Sequence, residues 1–225
     1  AISLFWLPAG STNLPDSTEQ KSEKPETMER DELIPVWMGL IAFFIYFCGV
    51  SALWAFLERI GHHAGHDISF VGLILALALA FATCGSLLVA TIGGRFGLLL
   101  PQTLAALTFL LSMISLSLDG QWFFAIGACL FAASFGLSVP IQVTVVSYFD
   151  RIGKYVVLTA VSFSMGGVLG PAIAGMIKVP DSNNEILIYA MFCVALSLLM
   201  NFISLKRFAK QTGIATQDFA QSLKQ

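Results

Sequence analysis

Charge is what this chain has least of. Asp, Glu, Lys and Arg together make up 12% of its residues, about half the ~25% of an average soluble domain. The formal net charge of −2 says little, because most charges fall outside the apolar stretches. There is no basic patch, which argues against a nucleic-acid reader. The sequence has no phosphate-cradling Gly-x-x-x-x-Gly-Lys loop, no nucleophile elbow and no carboxylate pair for a cavity, so it does not read as an enzyme and no cofactor is expected. Cysteine is scarce as well. Cys48, Cys84, Cys129 and Cys193 each fall in a different apolar stretch, without zinc spacing or a disulfide framework, and read as small packing residues.

What the chain has in abundance is apolar length. Hydrophobic residues are 56% of the 225, and the mean hydropathy is +0.80. A helical crossing needs roughly 20 mainly apolar residues. Six stretches meet that need: Ile34 to Phe56, Phe70 to Ile92, Leu98 to Leu118, Phe123 to Ser147, Val156 to Ile177 and Ile186 to Leu205. Lipid cannot hydrogen-bond an exposed backbone, and the runs lack the period-2 alternation of barrel strands, so each is expected to be a helix. The expected fold is an all-α polytopic membrane protein whose residues 34–205 form a six-transmembrane-helix bundle.

The flanks differ in kind. Residues 1–8, Ala-Ile-Ser-Leu-Phe-Trp-Leu-Pro, are too short and lack the basic start of a signal peptide. They read as the end of a preceding transmembrane helix, with Trp6 at the interface and Pro8 ending it. Residues 9–33 change abruptly to Ser, Thr, Pro, Glu, Lys and Asp and read as a solvated acidic linker. Residues 206–225 form a C-terminal tail. Arg95, Arg151, Lys154, Lys206, Arg207, Lys210 and Lys224 fall on the linker's side of the membrane, against Lys178 and Arg59 on the other. The positive-inside rule then puts linker and tail in the cytoplasm.

Two short loops on that side carry a resemblance. Gly93-Gly94-Arg95-Phe96-Gly97 joins the second and third stretches, and Phe149-Asp150-Arg151-Ile152-Gly153-Lys154 joins the fourth and fifth. An Arg-x-Gly loop after the second helix of a six-helix unit resembles the degenerate second copy of the signature loop of the major facilitator superfamily. The acidic linker resembles that family's central loop between two six-helix halves. The resemblance spans essentially the whole chain, on short motifs. It implies that this is the C-terminal half of a secondary transporter, with Arg95, Gly97, Asp150 and Arg151 in cytoplasmic gating loops. The family usually has an acidic residue just before the Arg. Here Gly94 stands there, which leaves Arg95 either as a remnant of the gate or as an interfacial anchor.

Within the fifth stretch, Gly166, Gly170, Pro171 and Gly175 are similar to the glycine-rich Gly-Pro pattern of helices five and eleven in that superfamily, with Ala174 replacing one glycine. Small residues permit close helix approach, and Pro171 removes a backbone donor and allows a kink. In the fourth, Ser134, Ser138 and Gln142 recur every four residues on one stripe. Polar groups at membrane depth face the bundle interior or a water-filled path. Ser138 and Gln142 are candidates for the substrate path, Gln142 the better one, while Ser134 and Ser138 equally suit bonds to backbone carbonyls. In the first, Tyr46 and Trp54 are further path candidates, and Glu58 continues their slowly drifting face. Glu58 is a candidate for proton coupling if desolvated, or a solvated interfacial residue. His62, His63, His66 and Asp67 resemble a short His box. The di-iron sites of that type need many more histidines, so a solvated cluster in an exposed turn is expected and no metal.

The resemblance therefore implies alternating-access transport of a small solute, driven by the proton gradient common in that family. The partners expected are membrane lipid, the N-terminal six-helix half of the same protein and the solute, in a bacterial inner (plasma) membrane. The aromatic content of the first and fourth stretches suits an apolar or aromatic solute. The alternative is a non-transporting six-helix receptor, scaffold or assembly factor.

Overall fold

The computed structural model of the protein describes residues 30–96, 99–150, 152–177 and 184–212, with side chains over 33–91, 100–150, 152–177 and 184–204. The expected helix end at 1–8, most of the linker, the tail beyond 212, Gly97, Arg151 and the side chain of Arg95 lie outside the described residues. Six helices and no strand occur among those described: α1 (Arg30–His63), α2 (Ile68–Phe96), α3 (Leu99–Leu116), α4 (Gln121–Phe149), α5 (Leu158–Ile177) and α6 (Asn184–Thr212). All but α3 are long and apolar enough to cross a membrane, as an integral membrane protein requires. With 18 residues, α3 rises about 27 Å, slightly less than the ~30 Å hydrocarbon core.

The sequence places the end of the first helix at Phe56, yet α1 runs on to His63. Gly61 does not break it. A Cβ there would stand 2.8 Å from Phe124 and Val71, so the glycine serves close packing. The stop comes at Gly65, whose φ of 79° lets the chain turn left-handed. Its N–H bonds His62 O at 3.0 Å, and the His66 N–H bonds Gly61 O at 3.2 Å, the paired closure of a Schellman cap. His62 and His63 therefore belong to the last turn of α1 rather than to an exposed turn. Two residues past that cap, Asp67 accepts the Ser69 N–H at 3.0 Å and opens α2 as its N-cap.

Short connections make successive helices antiparallel. One end of the bundle, the near end, gathers the starts of α1, α3 and α5 and the finishes of α2, α4 and α6. In the most apolar 18-residue stretch of α1 and of α4, 61% of residues are buried, against 17% in α2 and α5, so α1 and α4 form the centre. α1 packs chiefly on α5 and α6, and α4 chiefly on α2 and α3. Exchanging the triplets α1-α2-α3 and α4-α5-α6 maps this pattern onto itself. Because three is odd, the triplets run in opposite directions, as inverted repeats do.

Lipid is as apolar as leucine, so these helices associate through close contact and interhelical hydrogen bonds. The seams are built that way. Ser86 donates to Gly136 O (3.0 Å) between α2 and α4, Ser51 to Gly166 O (2.9 Å) between α1 and α5, and Ser112 to Gly127 O (2.8 Å) between α3 and α4. Each acceptor is a glycine carbonyl, open to a neighbouring hydroxyl because no side chain covers it. Between α1 and α6, Gly49 comes so near that a Cβ would stand 2.7 Å from Cys193 Cβ.

At the near end, Val36, Leu40, Val145, Val146 and Phe149 form a small apolar cluster against which Tyr155 and Leu158 pack. Asp150 holds that packing in place. It is buried, and its Oδ2 accepts the Tyr155 N–H at 2.6 Å and the Val156 N–H at 2.7 Å, ordering the turn before α5. Asp150→Ala frees both donors and is expected to lower stability by about 1–2 kcal/mol, read as a lower melting temperature in detergent.

Candidate functional site

A cavity of about 290 Å³ opens between α1, α2, α4 and α5. Each helix gives it residues three or four apart, which share one face: Phe47, Ser51 and Trp54 from α1, Leu79 and Ala82 from α2, Ala132 and Phe135 from α4, Phe163 and Gly167 from α5. These positions fall near the middle of each helix, so the cavity lies near mid-depth. Its floor is aromatic. The Phe47 ring meets Phe163 edge-on at 4.5 Å and Phe135 at 6.0 Å, while Trp54, 40% exposed, stands 6.0 Å from Phe131. Ser51 supplies the wall's hydroxyl and Trp54 its indole N–H. The Ser51 hydroxyl is committed to Phe47 O at 2.5 Å and Gly166 O at 2.9 Å.

The four residues expected along a substrate path divide. Trp54 lines the cavity. Tyr46, Ser138 and Gln142 are at most 3% exposed and lie inside the bundle, off the cavity wall. Tyr46 has Ser138 as its polar neighbour, although no hydrogen bond of good geometry reaches its hydroxyl among the described residues. Gln142 faces α6, where its Oε1 accepts from Ser197 Oγ and Asn201 Nδ2, both at 3.4 Å. Ser134 donates to the Phe131 carbonyl of its own helix at 2.7 Å.

In α5, Gly166 and Gly170 are buried against α1, and Ala174 continues their stripe. Gly175 is exposed, and a Cβ there would meet only the Phe56 ring at 4.0 Å, so it is not a close-approach position. Pro171 sits inside a helix that continues through it. Gly167, beside Gly166 in sequence, has open space where a Cβ would go.

Glu58 lies on the last two turns of α1, 68% exposed at the side chain, with its Oε1 3.7 Å from His62 Nε2. His66 is held between the Phe70 and Phe124 rings, at 5.9 and 5.6 Å. His63, His66 and Asp119 border a recess of about 260 Å³ at the far end. Among the described residues, no three His, Cys, Asp or Glu side chains gather closely enough to hold a metal.

Trp54 is the one wall residue among the path residues expected from the sequence; Phe47, Ser51, Phe163 and Gly167 are among those not expected. The spacing Phe47, Ser51, Trp54 on α1 is a helical-face signal, but nothing local ties it to α5. Compared with protein-family models, characterised proteins and solved structures, the chain finds no match.

Proposed function

We propose that this chain is the C-terminal half of a major-facilitator-type secondary transporter, moving a small solute by alternating access against a partner six-helix half. The observation that carries this reading is the position of the cavity. It lies near mid-depth, on the face flanked by α2 and α5, across both antiparallel triplets. Carriers built from inverted repeats bind their solute near the midplane where repeats meet. The hydroxyl-to-glycine seams support it further, since they couple α2 to α4 and α5 to α1 while leaving the outer faces of α2 and α5 exposed. With the near end cytoplasmic, Asp150 stands at the inner surface and Glu58 at the outer.

Solute counterflow by the full-length protein in proteoliposomes tests the proposal. Exchange of labelled for unlabelled solute through the protein, with no added energy source, is the expected result. A protein that binds but never exchanges is a receptor or scaffold instead. The driving gradient in this reading is the proton gradient. The open position of Glu58 favours an interfacial role over a buried proton site, so Glu58→Gln is expected to leave proton-driven uptake within about twofold of wild type. Lost accumulation with intact counterflow would assign the coupling proton to Glu58.

A further inference from the structure

We infer that the cavity takes an uncharged, planar aromatic solute, recognised on this half's wall by ring contacts and shape; this rests on the carrier reading above and names its substrate class. Among the described residues no charged side chain lines this wall; its serine proton is already given to backbone carbonyls, which leaves the Trp54 indole N–H as its remaining side-chain donor. A sugar's several hydroxyls entering here meet at most one donor, at about 2–7 kcal/mol for each uncompensated neutral polar group, and an uncompensated carboxylate costs far more. A flat ring loses no such bonds, and each well-placed aromatic pair adds about 0.5–1.5 kcal/mol beyond the area buried.

The size and outline of the cavity narrow the class. Its volume of about 290 Å³ stands at the lower end of small-molecule sites, about 300–1,000 Å³. Along α1 it runs from Phe47 to Trp54, about 10 Å at the helical rise. That is a short pit with ring walls. The groove between α3 and α6 is different: it follows α6 from Met191 to Phe202, about 16 Å, a trough of the shape that a lipid tail would lie in. Gly167 makes the pit what it is, because the space its side chain would occupy is open.

The test uses the full-length protein in lipid nanodiscs with 1-nitronaphthalene, an uncharged planar quencher of tryptophan fluorescence. Saturable quenching is expected, lost in Trp54→Phe and weakened about tenfold or more in Gly167→Leu, which fills the pit. Leu79→Phe narrows it from α2 without adding a tryptophan to the readout, and serves if the first variant does not fold. Glucose should not compete. Linear quenching that is equal in wild type and Gly167→Leu means partition into lipid and overturns the inference. Competition by tetraphenylphosphonium at equal or lower concentration overturns the uncharged class in favour of a cation on the ring faces. Counterflow separates the two claims. Saturable binding without exchange of any solute removes the carrier and keeps the site. Exchange of a polar solute untouched by Gly167→Leu removes the substrate class and keeps the carrier.

Discussion

Gly136→Ala is expected to cost about 3 kcal/mol and Gly72→Ala to cost nothing, although both add one methyl group to a membrane helix. At Gly136 the new Cβ runs into the carbonyl of Ala82, with Ala82 Cα 3.0 Å away. That obstacle is backbone and cannot rotate aside. Relief requires α2 and α4 to separate, which also stretches the Ser86 to Gly136 bond of 3.0 Å. At Gly72 a Cβ meets nothing within 4 Å, and alanine is favoured over glycine inside a helix by ~0.5–1 kcal/mol. The two substitutions should therefore shift the melting temperature in detergent in opposite directions. Gly170→Ala belongs with Gly136→Ala, because its Cβ enters the Cys48 carbonyl and the Ser51 hydroxyl on the α1 to α5 seam. Equal melting of Gly136→Ala and Gly72→Ala would mean that the seam does not hold the triplets together.

The contrast between these glycines shows what a single sequence discloses about a membrane bundle. Helix positions were legible because an apolar run of crossing length has no other stable form in lipid. Ends were less so: His62 and His63 of the expected loop continue α1, and the stop is marked by Gly65, with its positive φ and the paired closing bonds. Which face of a helix looks inward was barely legible, since lipid and protein interior are both apolar and a helix apolar all round carries no amphipathic signal. Gly166 packs and Gly167 does not, though they are neighbours in sequence and identical in chemistry. The stripe Ser134, Ser138, Gln142, expected to face a cavity or the bundle interior, is buried inside the bundle and off the cavity wall. The partners of Gln142 were not legible, because Ser197 and Asn201 lie 55 and 59 residues further on. The cavity was least legible of all. Trp54 was visible as an aromatic at depth, but the pit exists only where four helices bring Phe47, Phe135, Phe163 and Gly167 around it.

Gln142→Leu is expected to cost about 1–3 kcal/mol, because the penalty of two unpaired donors is partly offset by removing the Gln142 Nε2, itself buried without a partner among the described residues. Gln142 Oε1 is the acceptor for two buried donors, Ser197 Oγ at 3.4 Å and Asn201 Nδ2 at 3.4 Å, and all three residues are at most 2% exposed. Removing the acceptor leaves both donors unpaired where water cannot reach them, at about 1–3 kcal/mol each. Removing all three polar groups together takes away that penalty. The triple variant Gln142→Leu, Ser197→Ala, Asn201→Leu is expected to melt near wild type, so the double-mutant coupling between Gln142 and Asn201 should be large. The same variant settles what Gln142 does. Its side chain faces α6 and is absent from the cavity wall, so on the proposed carrier reading a triple variant of restored stability should retain counterflow. If it melts like wild type yet no longer exchanges solute, Gln142 belongs to the solute path, and the α4 to α6 contact must open to admit it.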